Sequence, residues 1–364
     1  MLDKGLRISY NLSVADLRKV FGLVIALIVV VSGIAAVVFA VFVLALFVFN
    51  RINNKRYNGN KFLKYFSADD FPGLLAEPIS FLSDCGQTLR GFLYQRKECQ
   101  PKALVIFAHG FGAGHRAYTT ELNTIVQAGY WVLAYDATGC AESDGKNLRG
   151  FDQGVYDLCA AVRYANNCAR FDGMKKILLG HSWGAFCVLN SLEEDGISGA
   201  VAMCGFISGA KVLSQNTIGK YFPALTFLEE AFLRLFYRMR FGRKANRNSL
   251  KSLRRTKKKV LLIYGDADRT VNYKKNGAVF LREFCGADNV VCKVCEGKAH
   301  NPYLTKDAER AMNETFSAIA DQKKKNYQKA VEMYAGIDYA KITQEDRQVM
   351  RTVIEFCDSI SAGQ

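Results

Sequence analysis

Ser182 is the first candidate for chemistry, because it lies between two glycines in the segment Gly-His-Ser-Trp-Gly at 180–184. The segment follows an apolar run at 177–179 and precedes a helical pattern at 185–192. Two residues without a Cβ allow a strand to turn sharply into a helix and expose a serine hydroxyl at the helix N-terminus. The pattern therefore predicts a nucleophile elbow.

A serine hydroxyl needs a base to accept its proton, and the base needs an acid to orient it. His300 is the one histidine of the four that follows the serine, in a loop after the strand-like run at 290–294. Asp266 and Asp268 follow the preceding strand-like run, and either could be the orienting acid. The order serine, aspartate, histidine is the one associated with a nucleophile elbow.

The elements that must position these residues alternate in type. A hairpin at 79–94 precedes apolar strand-like runs, and helical patterns at 117–128 and 153–168 separate the first of them. The runs lie at 103–108, 130–135, 177–179, 200–204, 259–264 and 290–294. This alternation predicts an α/β fold with a mostly parallel sheet and helices on both faces.

Residues 78–322 resemble an α/β-hydrolase of the group that contains serine esterases, monoglyceride lipases and serine aminopeptidases. The resemblance rests on the elbow, on His109-Gly110 after the third strand, on Gly-x-x-Asp-x-x-Val ending at Val271, and on His300. It implies a catalytic triad of Ser182, Asp268 and His300, and thereby favours Asp268 over Asp266.

The resemblance also implies an oxyanion hole made by the backbone N–H groups of Phe111 and Trp183. His109 is expected to be structural in the oxyanion loop, His181 to pack beneath the elbow, and His115 to line an entrance. The loop after Asp136 departs from the family pattern, because Ala141 stands where the family has a glycine. That departure concerns the shape of the loop and not the triad.

An uncharged run of 30 residues, 20–49, precedes the hydrolase-like segment. A helix of that length, at about 1.5 Å per residue, exceeds the roughly 30 Å hydrocarbon core of a bilayer. It is also too long for the apolar region of a cleaved signal peptide, so it predicts an uncleaved transmembrane helix. Basic residues flank it almost equally and leave the orientation open.

The basic charge is concentrated in one interval. Residues 231–259 contain 12 Lys and Arg and no acid, in a chain of net charge +15. They belong to a stretch, 206–258, that has no strand signal and is predicted to be a helical cap. Its apolar positions are expected to share one face that covers the pocket over Ser182, and they are Leu225, Leu228, Phe232, Leu235, Phe236 and Met239. The basic flank at 243–259 is expected to meet an anionic membrane surface, and no nucleic-acid partner is expected.

The remaining segments complete the predicted organisation: a short polar N-terminus at 1–19, the transmembrane helix at 20–49, a basic linker at 50–77 and a helical extension at 323–364. The apolar stripe from Val349 to Ile360 is expected to pack on the domain. The 11 cysteines are dispersed and odd in number, which predicts free thiols and favours a reducing, cytoplasmic side. Cys292 and Cys295 have a metal-like spacing, but on a strand they point to opposite faces.

The sequence therefore predicts a membrane-anchored serine hydrolase that cleaves a carboxylic ester, which could be lipid-like, without a cofactor or metal. A peptidase or thioesterase would use the same three residues. A hydrolase-fold binding protein without activity, or a lyase or haloperoxidase, would also be compatible with this fold. The substrate itself is not predicted.

Overall fold

The computed structural model describes residues 13–97, 100–112 and 114–363. Residues 1–12 of the predicted polar N-terminus lie outside that range. Eight strands form one sheet: β1 (Leu75–Leu82), β2 (Thr88–Gln95), β3 (Leu104–Ala108), β4 (Trp131–Tyr135), β5 (Lys176–His181), β6 (Ile197–Met203), β7 (Lys259–Gly265) and β8 (Val290–Cys295). Their spatial order is β1-β2-β4-β3-β5-β6-β7-β8. The pairs β1–β2 and β2–β4 are antiparallel and all others are parallel.

Twelve helices of the described residues surround this sheet. They are α1 (Val14–Asn53), α2 (Thr119–Gln127), α3 (Phe151–Asn166), α4 (Trp183–Asn190), α5 (Gly209–Asn216), α6 (Thr226–Phe241), α7 (Ser249–Arg255), α8 (Gly277–Phe284), α9 (Lys306–Lys325), α10 (Tyr327–Ala335), α11 (Tyr339–Ile342) and α12 (Arg347–Ser361). One core cluster includes α3, α4 and α8, and a second, on the other face, includes α2 and α12. The predicted α/β-hydrolase fold class is confirmed.

The central strands are apolar throughout because both faces of the sheet are covered. Leu178 on β5 belongs to one core cluster, whereas its neighbours Ile177 and Leu179 belong to the other. Successive side chains of a strand point to opposite faces, so a strand covered on both sides needs a continuous apolar run. This is the pattern that predicted the parallel sheet.

Helix α1 is longer than the predicted transmembrane segment and divides into two parts. Every residue from 14 to 40 is exposed, and the helix is long and apolar enough to cross a membrane by length and composition. Four residues of the next part are buried against the hydrolase domain, namely Val41, Ala45, Val48 and Phe49. The last turns of the run at 20–49 are therefore apolar for packing on protein. Residues 20–40 still give about 31 Å of helix at 1.5 Å per residue.

Helix α6 of the cap packs directly on α1. The rings of Phe42 and Phe232 lie 5.3 Å apart and those of Phe49 and Tyr237 lie 5.2 Å apart, both edge to face. Phe49 follows Phe42 along α1, and its partner Tyr237 follows Phe232 along α6. The two helices therefore run in the same direction. We call this contact the α1–α6 seam.

The apolar face predicted for the cap is only partly correct. Leu235 and Met239 are exposed, and the buried residues of α6 are Glu229, Leu233, Phe236 and Tyr237. The prediction failed because α6 packs on two partners. One set of its apolar residues faces the hydrolase domain and another faces α1. The apolar spacing in the sequence does not distinguish the two sets and therefore predicts a single face.

The predicted linker and C-terminal extension are both integrated into the fold. Arg56 and Tyr57, in the linker, donate hydrogen bonds to the carbonyls of Gly145 and Gly139. The boundary expected between 322 and 323 falls inside α9. On α12 the predicted apolar stripe is buried against the sheet, and its members include Val349, Val353, Phe356, Cys357 and Ile360.

Candidate active site

Ser182 occupies the sharp turn between β5 and α4. Its backbone has φ 56° and ψ −113°, a strained conformation for a residue with a side chain. A Cβ on Gly184 would overlap the carbonyl oxygen of Ala108, and one on Gly180 would meet the backbone of Gly184. The two glycines are thus required by close backbone contacts on both sides of the serine.

Ser182, His300 and Asp268 are joined by two hydrogen bonds. His300 Nε2 lies 2.9 Å from Ser182 Oγ, and His300 Nδ1 lies 2.7 Å from Asp268 Oδ2. A carboxylate only accepts, so the network assigns the proton to Nδ1 and leaves Nε2 to accept from the serine hydroxyl. The N–H groups of Thr270 and Val271 donate to the other oxygen of Asp268, which is buried.

Asp266, the second candidate acid, is placed differently. It is exposed, and its Oδ1 accepts a hydrogen bond of 2.6 Å from the N–H of Gly297. Its role in the described contacts is therefore to hold the turn before His300. The contact with the imidazole belongs to Asp268.

Two backbone N–H groups near the serine form no hydrogen bond with any described residue. They belong to Trp183, the first residue of α4, and to Phe111, in the turn after β3. The indole N–H of Trp183 is a separate group. It donates to the carbonyl of Phe151 at 2.9 Å, which fixes the side chain. Both groups remain candidates for the oxyanion hole.

A chain of hydrogen bonds runs behind the serine. The N–H of Gly110 donates to Tyr118 Oη at 3.1 Å, and Tyr118 Oη lies 2.9 Å from His181 Nδ1. His181 Nε2 in turn lies 2.8 Å from the carbonyl oxygen of His300. Burial, followed by the nearby His300, lowers the pKa of His181 to about 3. His181 is therefore neutral, accepts from Tyr118 and donates to His300.

The chain ties the loop after β3 to the loop that carries His300. Sequence reasoning placed His181 beneath the elbow but missed Tyr118, which lies in no motif. Its phenol reaches the site only because the short turn before α2, at 115–118, places it 2.9 Å from His181 at the end of β5. No sequence signal distinguishes it from the rest of the 17 tyrosines.

His115 does not line an entrance, contrary to the expectation. Its side chain is fully buried, and its Nδ1 lies 2.8 Å from Asp136 Oδ1. Burial is the largest single effect and opposes ionisation of Asp136, but the hydrogen bonds from the side chain and backbone of His115, together with the two nearby imidazoles, outweigh it and lower the pKa of Asp136 to about 2. Asp136 also accepts from the N–H of Glu142, so it joins the loop after β3 to the loop after β4.

Two more sequence expectations concern the same loops. His109 Nε2 accepts a hydrogen bond from the N–H of Ala137, and burial lowers the pKa of His109, so it is neutral and structural as expected. Ala141 has φ 35°, in the left-handed region that favours glycine. This explains why the family pattern has a glycine there.

One group of side chains near the site has the spacing of metal ligands. The donor atoms of His181, Cys204 and His300 lie within 4.8 Å of one another. Both nitrogens of each imidazole already have hydrogen-bond partners, and burial raises the pKa of the Cys204 thiol. A neutral thiol is a poor ligand, so these residues fit a hydrogen-bonded site better than a metal site.

The known proteins that this chain resembles are hydrolases. A family model described as serine aminopeptidase, S33, matches residues 99–255. Monoglyceride lipase of Homo sapiens is 24% identical over 258 residues, which are 62% of this chain and 84% of that protein. A monoglyceride lipase homolog of monkeypox virus is 30% identical over 92 residues, 25% of this chain and 33% of that protein.

Solved structures give the same fold. An esterase of Pyrococcus furiosus superposes with a TM-score of 0.53 at 21% identity, covering 74% of this chain and 98% of its own. At that identity the likeness shows the fold. The chain therefore has the α/β-hydrolase fold, and it is similar in sequence to the serine aminopeptidase family model and to monoglyceride lipases.

Proposed function

We propose that the chain hydrolyses a carboxylic ester through Ser182, His300 and Asp268. The observation that carries the proposal is the continuous path of hydrogen bonds from the buried Asp268 through the imidazole to a serine held in an elbow. The 2.9 Å distance is that of a nucleophile and base in contact before substrate binds, and the 2.7 Å distance joins the base to the acid that orients it.

The mechanism follows from the proton positions. His300 Nε2 accepts the proton of Ser182 Oγ as the oxygen attacks the ester carbonyl, and Asp268 stabilises the resulting imidazolium. The oxyanion forms against the free N–H groups of Trp183 and Phe111. His300 then protonates the leaving alcohol. Water, activated by the same imidazole, hydrolyses the acyl-enzyme and releases the acid.

Aromatic side chains lie near the elbow, and they favour an apolar acyl group. The ring of Phe111 lies 5.5 Å from that of Phe151, which lies 5.4 Å from Phe206. These aromatic side chains favour burial of hydrocarbon, and the human relative is named a monoglyceride lipase. We propose a lipid-like ester as the substrate class. Small esters, peptides and thioesters are the alternative substrate classes.

A panel of substrates tests this choice. The full chain in detergent should hydrolyse esters of graded acyl length with kcat/KM rising as the chain lengthens. An aminoacyl amide and an acyl thioester serve as comparison substrates. Faster turnover of either comparison substrate would replace the ester proposal. No turnover of any of them would support a non-catalytic binding protein.

We further propose that α1 anchors the protein in a membrane. The support is the exposed apolar part of the helix at 20–40, whose length suits a bilayer. A protein tagged at the N-terminus should stay in the membrane after an alkaline wash and keep its tag. Loss of the tag from the mature chain would identify a cleaved signal sequence.

The basic flank at 243–259 remains a proposed membrane contact, with fewer free charges than expected. Arg254 pairs with Glu283 and Arg255 with Glu193. Lys258 Nζ donates to the carbonyl of Glu194. The exposed basic residues that remain are Arg243, Lys244, Lys251, Lys257 and Lys259. In nanodiscs with anionic lipid, these lysines should be protected from acetylation at low salt and not at high salt. Lys325, at the end of α9, is the control. If the lysines of the flank reacted equally in anionic and in neutral nanodiscs, the proposal would be contradicted.

A further inference from the structure

A cavity of about 260 Å³ lies beside the site without sharing its proposed catalytic residues. Five segments bound it: the connector at 63–66, the start of α2 with the turn before it, the loop after β8, helix α9 and helix α11. Its lining, within the described residues, does not include Ser182, Asp268 or His300. Its volume is just below the roughly 300 Å³ of small drug sites, so it suits a small ligand.

The walls of this cavity are mainly aromatic. Six rings line it, and they belong to Tyr65, Phe66, Tyr118, Tyr303, Phe316 and Tyr339. The face of an aromatic ring is negative and attracts cations, particularly where water is excluded. A cavity walled by several rings can therefore bind either hydrocarbon or an organic cation.

One buried carboxyl distinguishes between these ligands. Glu121 lines the cavity, is 7% exposed, and its carboxyl forms no hydrogen bond with another described side chain or backbone group. Glu345 lies behind it. Its Oε2 accepts from Thr124 at 2.6 Å, while its buried Oε1 has no partner among the described residues. Burial, and then the charge of Glu345, raises the pKa of Glu121 to about 8.

The cations at the cavity rim do not compensate for these acids. Lys64 Nζ pairs with Asp70 at 2.7 Å, and Arg116 pairs with Glu142 at 3.0 Å. Each rim cation is thus matched by its own acid, and no salt bridge of the described residues includes Glu121. Neither cation of the cavity lining is therefore paired with Glu121, although the whole chain carries a net charge of +15.

We propose that this cavity binds a small organic cation, an alkylammonium or quaternary ammonium group, with its charge beside Glu121 and its carbon substituents against the aromatic walls. With its pKa raised to about 8, Glu121 is protonated at neutral pH before a cation binds, and a bound cation would hold it ionised. A neutral amphiphile would fill the same volume without stabilising the carboxylate, and an anion would oppose its ionisation.

Tyr118 connects the cavity to the proposed catalytic residues. Its side chain lines the cavity, and its hydroxyl bonds to the Gly110 N–H and to His181, which holds the carbonyl of His300. An occupant that contacts this ring therefore touches the hydrogen-bond chain behind the serine. Binding is expected to change turnover as well as to stabilise the fold.

Calorimetric titration of the full chain in a maltoside detergent tests the proposal, with choline and butylammonium as probes. The matched control ligand is 3,3-dimethylbutan-1-ol, the uncharged carbon isostere of choline. We expect saturable binding of at least one cation, at least tenfold tighter than the isostere. Equal binding of the isostere, or no saturable binding of either cation, would overturn the proposal.

Two variants and one control variant assign the binding to the cavity. Glu121→Gln keeps the shape and removes the charge, and should weaken binding at least tenfold. Phe316→Leu removes one aromatic ring from another wall of the cavity and should also weaken binding of the cation. Glu314→Gln, an exposed acid on the same helix as Phe316, makes the same change of charge outside the cavity and should leave binding unaltered. Undiminished binding in both Glu121→Gln and Phe316→Leu would place the cation elsewhere.

A further arm separates the two sources of such a cation. Dihexanoyl phosphatidylcholine presents the ammonium group on a lipid, whereas choline presents it free. Binding of both would identify a lipid head group as the ligand, and binding of choline alone would identify a free cation. The readout requires no catalysis, so its result is independent of the proposed esterase activity.

Discussion

Tyr118 Oη and His181 Nδ1 lie 2.9 Å apart, and through this contact the loop after β3 is coupled to the residue that precedes the elbow serine. The phenol accepts from Gly110 on one side and donates to His181 on the other. His181 passes the constraint to the carbonyl of His300. The position of the proposed base is therefore set by a residue that no motif contains.

Tyr118→Phe tests this positioning role. The change leaves a buried N–H and a buried imidazole nitrogen without a partner, which costs about 1–3 kcal/mol of stability. We expect kcat to fall by about tenfold, equivalent to about 1.4 kcal/mol, with KM little changed. Tyr135→Phe, an equally buried ring that packs on Phe81, is the control. A fall in stability with kcat intact would reduce Tyr118 to a structural residue.

Ser182→Ala tests the nucleophile. A fluorophosphonate probe forms a covalent bond with an activated serine, so the unaltered protein should be labelled and the variant should not. Ser359→Ala, on α12, removes a hydroxyl that bonds to the carbonyl of Phe356 and should leave labelling intact. Equal labelling of the unaltered protein and Ser182→Ala would exclude Ser182 as the nucleophile.

Asp268→Asn and Asp266→Asn separate the two candidate acids. Loss of the acid that orients the imidazole costs on the order of 10⁴ in kcat, because the wrong tautomer is favoured. We expect that loss for Asp268→Asn, whose carboxylate contacts His300 Nδ1. Asp266→Asn should change kcat only slightly, since its amide oxygen can still accept from Gly297. Comparable losses in both would mean that another acid orients the base.

Phe49→Ala tests the α1–α6 seam. Phe49 is 4% exposed and contacts Phe236 and Tyr237, so its truncation should cost about 3–5 kcal/mol of local packing. Limited proteolysis in detergent should then cut the cap after α6 faster. Phe47→Ala, at a 59% exposed position on the same helix, is the control and should change nothing. Cleavage that is unaltered in Phe49→Ala would show that the cap is held without α1.

Glu121→Gln tests the buried carboxyl by its effect on pH-dependent stability. The folded pKa of about 8 exceeds the unfolded value of about 4.3. The folded state therefore binds more protons between these values. The stability that comes from the protonated acid is fully present below about pH 4 and is lost as the pH rises towards 8.

The variant lacks this titration. The melting temperature of the variant minus that of the unaltered protein should therefore increase as the pH rises from 5 to 9. Thermal unfolding of the two proteins in the same detergent measures the difference. Glu314→Gln, with an exposed carboxyl, should differ from the unaltered protein by the same amount at every pH. A constant difference for Glu121→Gln would show that Glu121 is already ionised at low pH.

The sequence alone was sufficient for the fold class and for the elbow. Both depend on local features, since a continuous apolar run implies a strand covered on both faces and two glycines permit the turn at Ser182. It was also sufficient to nominate His300 and the pair Asp266 and Asp268, because the ends of parallel strands meet at one edge of the sheet, and the family resemblance then favoured Asp268. The structure brings these three residues into hydrogen-bond contact, and their catalytic role stays a prediction.

The tertiary structure alone decided which surfaces meet. The face of α6 that is buried depends on α1, which lies almost 200 residues earlier in the chain, and no local period records two partners at once. The burial of His115, the contact of Tyr118 with His181 and the isolation of Glu121 have the same origin. Each is a property of side chains from separate segments, and their burial and pairing exist only once those segments pack together.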